Sequence, residues 1–311
     1  MKFDKNDIQF KDGFGTIEVA NWRIFADFVD DNNKHLKGYI FRGQPRSSFK
    51  LEPTFLRSYK EHPAKYHESL RRQLRRFRLN IRGRLSLTDR EAISENEIWA
   101  LGQHNGLATP LLDWTASPLV AAFFAFVEHR SSAMPEESRT VFALHARKVN
   151  RAFYDKVQEY FDNNKDNRLE QFLEYVEDDR SDGQGFPERV VERLYPVDSD
   201  TYSECRLAVE GAELEVPRII SPLSGENKRL VNQRGLFTKY GVQESLEEWV
   251  KRHCAGKNEP VLLKLNLPES DRDEALSLLD AANINYLSLF PDIYGAAHYA
   301  NSKIPANSRT K

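Results

Sequence analysis

The chain has 311 residues, 40% hydrophobic and 30% charged, with a formal net charge of −2. That length buries a core without staples, and the composition excludes wholesale disorder, collagen and an extended coiled coil. The near-neutral balance supplies no overall basic field, and two distant cysteines, Cys205 and Cys254, exclude a disulfide scaffold or a Cys-rich zinc site.

The polar N-terminus carries no apolar signal core, and the longest uncharged apolar run, Pro118 to Val127, is about half the ~20 residues of a spanning helix. The expectation is a soluble, cytoplasmic chain in a reducing compartment, without a membrane partner.

From Ile17 to Val29, apolar residues at Val19, Trp22, Phe25, Phe28 and Val29 have helical spacing. Tyr39 to Phe41 is aromatic and β-branched, as strands are. Lys65 to Arg84 carries eight bases against one acid, with Leu70, Leu74 and Phe77 at helical spacing. This is a helix with one apolar face and a cationic remainder. The cationic side is either a solvated face with partners elsewhere or a contact surface for phosphate or an acidic partner.

Ser117 followed by Pro118 is a helix start, and the LVAAFFAFV that follows predicts a buried helix. TVFALHA, from Thr140, reads as a strand. Asp155 to Asp182 holds ten acids against four bases with interleaved apolar residues. It reads as an acidic helical insertion over 150–190, beside the main fold, able to quench the arginine-rich helix.

Val216 to Ile220 and Gly235 to Lys239 suit short strands. Ser245 and Glu248 form a capping box for SLEEWVKRH. A strand from Pro260, a helix capped by Ser270, a strand INYLSLF and a last helix IYGAAHYA complete the chain. The expected fold is α+β, a mixed central sheet with surrounding helices, in a single domain 1–311.

Arg42 stands first among candidate site residues. Alternation puts Ile40, Arg42 and Gln44 on one strand face, and a half-buried guanidinium needs an anion, either a structural carboxylate or a ligand phosphate. Asp113, Trp114, Thr115 and Ser117 precede a helix N-terminus, where they either cap the helix or help hold an anion. His104, within Gln103-His104-Asn105-Gly106, is a site wall or a structural histidine. Gln233 lies in a turn entering a strand, and Asp292 follows Phe290 and Pro291 at the exit of the last strand. No P-loop, G-x-G-x-x-G, H-E-x-x-H or G-x-S-x-G pattern occurs, and no metal is expected.

FRGQ, QHNGLATPLLDWTASPLVAAFFA, NQRGLFT and LSLFPDIYGAAHY, taken in order, resemble the motifs of the FRG-domain family, with a motif core over 39–299. Ala108-Thr109-Pro110 stands where that family usually has Pro-Thr-Arg, and Tyr294 where it has an acid. The aromatic-Arg-Gly and the hydroxyl-rich turn before an alanine-rich helix also resemble the first two motifs of arginine-type ADP-ribosyltransferases.

That resemblance implies an ADP-ribosyltransferase-like sheet and NAD as substrate, bound by Arg42, Gly43, Gln44, Trp114 and Gln233. Arg42, Asp113, Thr115, Ser117, Asp292 and His104 become the catalytic candidates, with Glu213 and Glu215 as further candidates for the completing acid. It implies an effector of a bacterial defence or toxin–antitoxin system, acting on RNA or protein and held in check by an antitoxin or regulatory protein. RNA would meet the Arg71–Arg84 helix. The alternatives are a ribonuclease-like toxin using His104 and Asp113 as acid and base, and a non-catalytic nucleotide-sensing module.

Overall fold

The computed structural model describes residues 9–32, 34, 36–84, 95–128, 137–164, 216–220, 228–239, 243–256 and 260–304. In chain order the elements are β1 (Gln9–Lys11), β2 (Phe14–Glu18), α1 (Trp22–Asp31), β3 (Tyr39–Gln44), α2 (Thr54–Ser58), α3 (Tyr66–Asn80), α4 (Glu95–His104), β4 (Leu111–Thr115), α5 (Pro118–Val127), β5 (Arg139–His145) and α6 (Ala146–Asn164). They continue with β6 (Arg218–Ile220), α7 (Lys228–Asn232), β7 (Gly235–Lys239), α8 (Leu246–His253), β8 (Leu262–Leu267), α9 (Arg272–Ala281), α10 (Tyr286–Leu289) and α11 (Ile293–Ser302).

The strands form one mixed sheet in the order β1-β2-β8-β5-β3-β4-β7-β6, in which only β2 and β8 run parallel. The middle is uneven. β3 and β5 pair from Tyr39–His145 to Gln44–Thr140, whereas β3 meets β4 only at Phe41–Thr115. The sheet therefore parts between β3 and β4 just beyond that contact.

Strand alternation sorts side chains onto two faces. One face carries Phe41, Val141, Ala143 and Leu265 under α1, α5 and α9. Across the parting, that same face carries Leu111 and Phe237 under α2, α3 and α4. The opposite face carries Ile40, Phe142, Leu112 and Trp114 under α6 and α8. The first face is thus covered by two helix groups with a seam between them.

Local chemistry explains where several helices start. Ser117 accepts from the Val120 N–H at 3.3 Å and Pro118 opens α5. Ser245 and Glu248 cap α8 reciprocally. Glu95 anchors the start of α4 by accepting from Lys239 Nζ at 2.6 Å and Trp99 Nε1 at 3.3 Å. Burial works to raise the Glu95 pKa, but Lys239 and these hydrogen bonds hold it below the ordinary value.

Several expectations need correction. INYLSLF is not a strand: Asn285 and Ser288 form a capping box and Tyr286–Leu289 is the short helix α10. Asp292 consequently leaves no strand; it caps α11. Ser270 does not cap α9, since its hydroxyl donates to Asp271 and a short 3₁₀ turn, Glu269–Asp271, leads into the helix. The segment from Ile17 divides into β2 and α1. Asp113 and Thr115 belong to strand β4, not to a turn.

Residues 150–164 of the expected insertion lie in α6, whose Ala146, Val149 and Ala152 are part of the core; 165–190 lie outside the described residues. No described helix is long and apolar enough to cross a membrane.

Candidate functional site

The parting of β3 from β4 is where Arg42 sits. It pairs with Phe142 and so starts on the face of Ile40. Its Nη1 nevertheless donates to the Asp113 carbonyl at 2.7 Å and lies 3.5 Å from Asp113 Oδ2, on a residue facing the other side. The guanidinium runs through the gap left by the missing ladder bonds. Its side chain is 20% exposed and that of Asp113 is 59% exposed. Its Nε is buried with no hydrogen-bond partner, and the same holds for Gln44 Oε1, two residues along the same strand face. Burial pulls the Arg42 pKa down; Asp113 opposes that and nearby Arg57 adds to it.

Gly43 points to the first face. A Cβ there would lie 1.8 Å from the Ala121 carbonyl oxygen. Glycine lets α5 rest directly on β3.

Asp113 is held from the other helix group. Gln103 Nε2 donates to Asp113 Oδ2 at 3.0 Å, and Gln103 Oε1 accepts from the Thr109 hydroxyl. The adjacent His104 closes α4. Burial and Arg229 lower the His104 pKa from 6.5, and Asp292 opposes them. His104 therefore sits within the field of a further pair. Arg229 on α7 donates to Asp292 Oδ2 at 2.6 Å through Nε and reaches it at 2.5 Å through Nη2. The guanidinium also lies over the rings of Phe290 and Tyr294, 5.4 and 5.1 Å from their centroids. Asp292 Oδ1 accepts from the Gly295 N–H at 3.1 Å. Burial favours a raised Asp292 pKa, but the Gly295 bond and Arg229 hold it below the ordinary carboxylate value.

The remaining candidates support this seam with groups already engaged. The Thr115 hydroxyl donates to the Gln233 carbonyl at 2.6 Å and accepts from the Ser117 N–H at 3.1 Å. Gln233 Nε2 donates to the Leu289 carbonyl at 3.1 Å. Trp114 is 3% exposed and donates its indole N–H to the Thr238 hydroxyl at 3.0 Å, which places it in the core rather than on an open wall. Glu213 and Glu215 lie outside the described residues.

FRGQ, QHNG, LDWTAS, NQRG and FPD, scattered through the chain, thus converge on the seam. The polar order across it is Arg42, Asp113, Gln103, His104, Arg229, Asp292. Arg229 was not singled out from sequence; its only local signal is its position on the helix that leads into NQRG. Glu247 was also missed. It receives the Leu51 N–H at 3.1 and 3.0 Å on its two oxygens, and burial pushes its pKa up. Among the described residues no group of three or more His, Cys, Asp or Glu is placed to hold a metal ion.

The electrostatics of His104 are directly measurable. An NMR titration of its ring is expected to give a midpoint below 6.5, because burial and Arg229 disfavour the imidazolium. The sign follows: with the folded pKa depressed, the stabilisation is present above the unfolded pKa and is lost as pH falls through the folded one. Arg229→Gln removes the repelling cation and leaves Asp292, so the midpoint moves up. A midpoint at or above 6.5 in the unmodified protein would detach His104 from this cluster.

Residues 37–134 match the family model of the FRG domain, a stretch that runs from just before β3 to just past α5. No curated protein and no solved structure matches the chain.

Proposed function

We propose that this chain, which carries an FRG domain at residues 37–134, is an ADP-ribosyltransferase-like effector. It consumes NAD at the seam and acts on a macromolecular acceptor, within a bacterial defence or toxin–antitoxin system. The carrying observation is the buried, partnerless Nε of Arg42 at the place where β3 and β4 part. An unmet buried donor costs about 1–3 kcal/mol, and a phosphate or ribose oxygen relieves it. Gln44 Oε1, likewise unmet, is an acceptor suited to a ribose hydroxyl. The bond from Arg42 to the Asp113 carboxylate is long and its partner exposed, a pair of low energy that an entering anion displaces.

NAD supplies a ribosyl carbon whose bond to nicotinamide breaks, the electron pair leaving on nicotinamide, while an acceptor oxygen or nitrogen bonds to that carbon. The protein's share is positional and electrostatic. Arg42 would hold the phosphates or ribose. Asp113 or Asp292 supplies negative charge to the sugar, where positive charge develops. His104, kept neutral, takes the acceptor's proton. Thr115, Ser117 and Gln233 are positioning residues, binding the β4 exit to the turn before β7.

A second reading rests on His104 itself. The Arg229 guanidinium beside it also suits a nuclease, with that cation on a phosphodiester and His104 and Asp113 as the acid and base.

The test is incubation of the purified protein with adenylate-labelled NAD and with RNA or protein extract. Nicotinamide release with transfer of label is expected. Arg42→Ala is expected to lower the rate by about 10²–10³-fold with an unchanged melting temperature. RNA cleavage without NAD would transfer the assignment to the nuclease, and tight NAD binding without turnover to a sensing module. Full activity in Arg42→Ala would remove Arg42 from the site.

A further inference from the structure

The surface of α3 is strongly one-sided. At 100° per residue, Tyr66, Leu70, Leu74 and Phe77 fall on the side packed against α4 and the sheet, with Tyr66, Leu70 and Leu74 buried. Arg71, Arg72, Arg75, Arg76 and Arg78 are exposed within an arc of roughly 160° on the other side. Arg82 and Arg84 follow, also exposed, just after the helix ends. Arg72 lies 3.7 Å from Glu61. Arg75, Arg76, Arg78 and Arg82 meet no carboxylate among the described residues. Such a cluster repels itself and gains from any polyanion that neutralises it.

Among the described residues, α6 does not cancel it. α6 carries exposed Asp155, Glu159 and Asp162, but packs on the face of Ile219 and Trp114. α3 packs on the face of Leu111 and Phe237. The sheet stands between them.

The end of α3 also lies beside the end of α4, which carries the seam residues. An added Cβ on Gly102 would lie 3.3 Å from the Phe77 ring, so the last turns of α3 and α4 are in contact. The next residues of α4 are Gln103 and His104. Arginines three and four apart on a helix are separated by about 4.5–6 Å along its axis. That spacing allows several phosphates of one strand to be met in succession, and guanidinium forks bind them bidentately.

We infer that the arginine face of α3 is a docking surface for the phosphate backbone of a nucleic acid, which it leads to the seam at His104. The docking stands on charge and exposure; only the strand's role as acceptor rests on the proposed function.

The test uses the full chain without NAD, so that it does not depend on turnover. Binding of a fluorescent single-stranded RNA of about 20 nucleotides is followed across salt concentration. Four phosphate contacts give a slope of log K against log salt of about −3 for a single strand. Arg75→Ala/Arg76→Ala/Arg78→Ala is expected to weaken binding at least ~10-fold and to reduce the slope by about 2. The same variant should melt like the unmodified protein, since these residues are exposed. Arg42→Ala should bind RNA unchanged. A single-stranded DNA of the same sequence bound with the same slope supports phosphate contact and shows that the 2′-hydroxyl is not read. Unaltered RNA binding in the triple variant overturns the proposal. So does absence of RNA binding together with tight binding of poly-glutamate, which assigns the face to an acidic protein instead.

Discussion

Gly43→Ala is expected to leave little folded protein. The new methyl would lie 1.8 Å from the Ala121 carbonyl oxygen, 2.6 Å from the Ala125 nitrogen and 2.9 Å from the Ala121 carbonyl carbon. All three are backbone atoms of α5, so no side chain can rotate away. Gly43 is also fixed on the other side, paired with Val141 in the central ladder. The helix has to lift from the sheet, and Ala121, Ala122, Ala125 and Phe126, each at 0% exposure, lose their close packing. Overpacking commonly costs about 1–3 kcal/mol, and a clash with helix backbone from a strand held in its ladder belongs at about 3 kcal/mol or more. Gly256→Ala is the control: its φ of +74° brings strain, but no atom lies within 4 Å. It should cost only about 1 kcal/mol. Urea unfolding of both variants decides the matter, and equal losses would mean that α5 can shift freely over β3.

Gly43 also marks how far local reading reaches. Tyr39 to Phe41 is legible as a strand from residue type, and Ser117-Pro118 as a helix start from hydrogen-bond chemistry, because the causes lie within a few residues. The face assignment of Arg42 is equally local, since strand alternation alone puts it with Ile40. Its partner is different. Asp113 is 71 residues away and becomes reachable only because β3 and β4 part after one pairing, a fact of register with no sequence signature.

Short apolar runs do not declare strand or helix by themselves. INYLSLF has a strand's residue types, and only the Asn285–Ser288 box decides for helix. LLDWT hides a strand because Asp113 interrupts its apolar look. Alternation of Leu112 and Trp114 against Asp113 and Thr115 was the available clue. His104, Asp113, Gln233 and Asp292 do gather with Arg42, but the hydroxyl of Thr115 and the amide of Gln233 are engaged with backbone. The ionic partner of Asp292, Arg229, could not be read from spacing, since 63 residues separate them.

Arg139→Ala is expected to destabilise the protein about as strongly, through charge rather than volume. Arg139 opens β5 and is 0% exposed. Its Nη2 donates to Glu269 Oε1 at 2.8 Å and its Nε to the other oxygen of that carboxylate. Its Nη1 donates to the carbonyls of Ala125 and Glu128, both at 2.8 Å. Those carbonyls lie at the end of α5, where helix geometry leaves them without backbone donors and where a cation is favoured. One side chain thus ties the central strand to the end of α5 and to the turn that starts α9. Alanine removes the cation, leaves two carbonyls short of a donor and leaves Glu269 facing a void. Breaking such a buried pair costs about 3–5 kcal/mol. Arg139→Lys keeps the charge but not the fork, so it should fall between the two. At about 2–4 °C per kcal/mol for a large domain, the alanine variant should melt roughly 6–20 °C lower. An unchanged urea midpoint for Arg139→Ala would show that α5 is held at its end by apolar packing alone, in which case Arg139 fills space between β5 and α9 without fastening them.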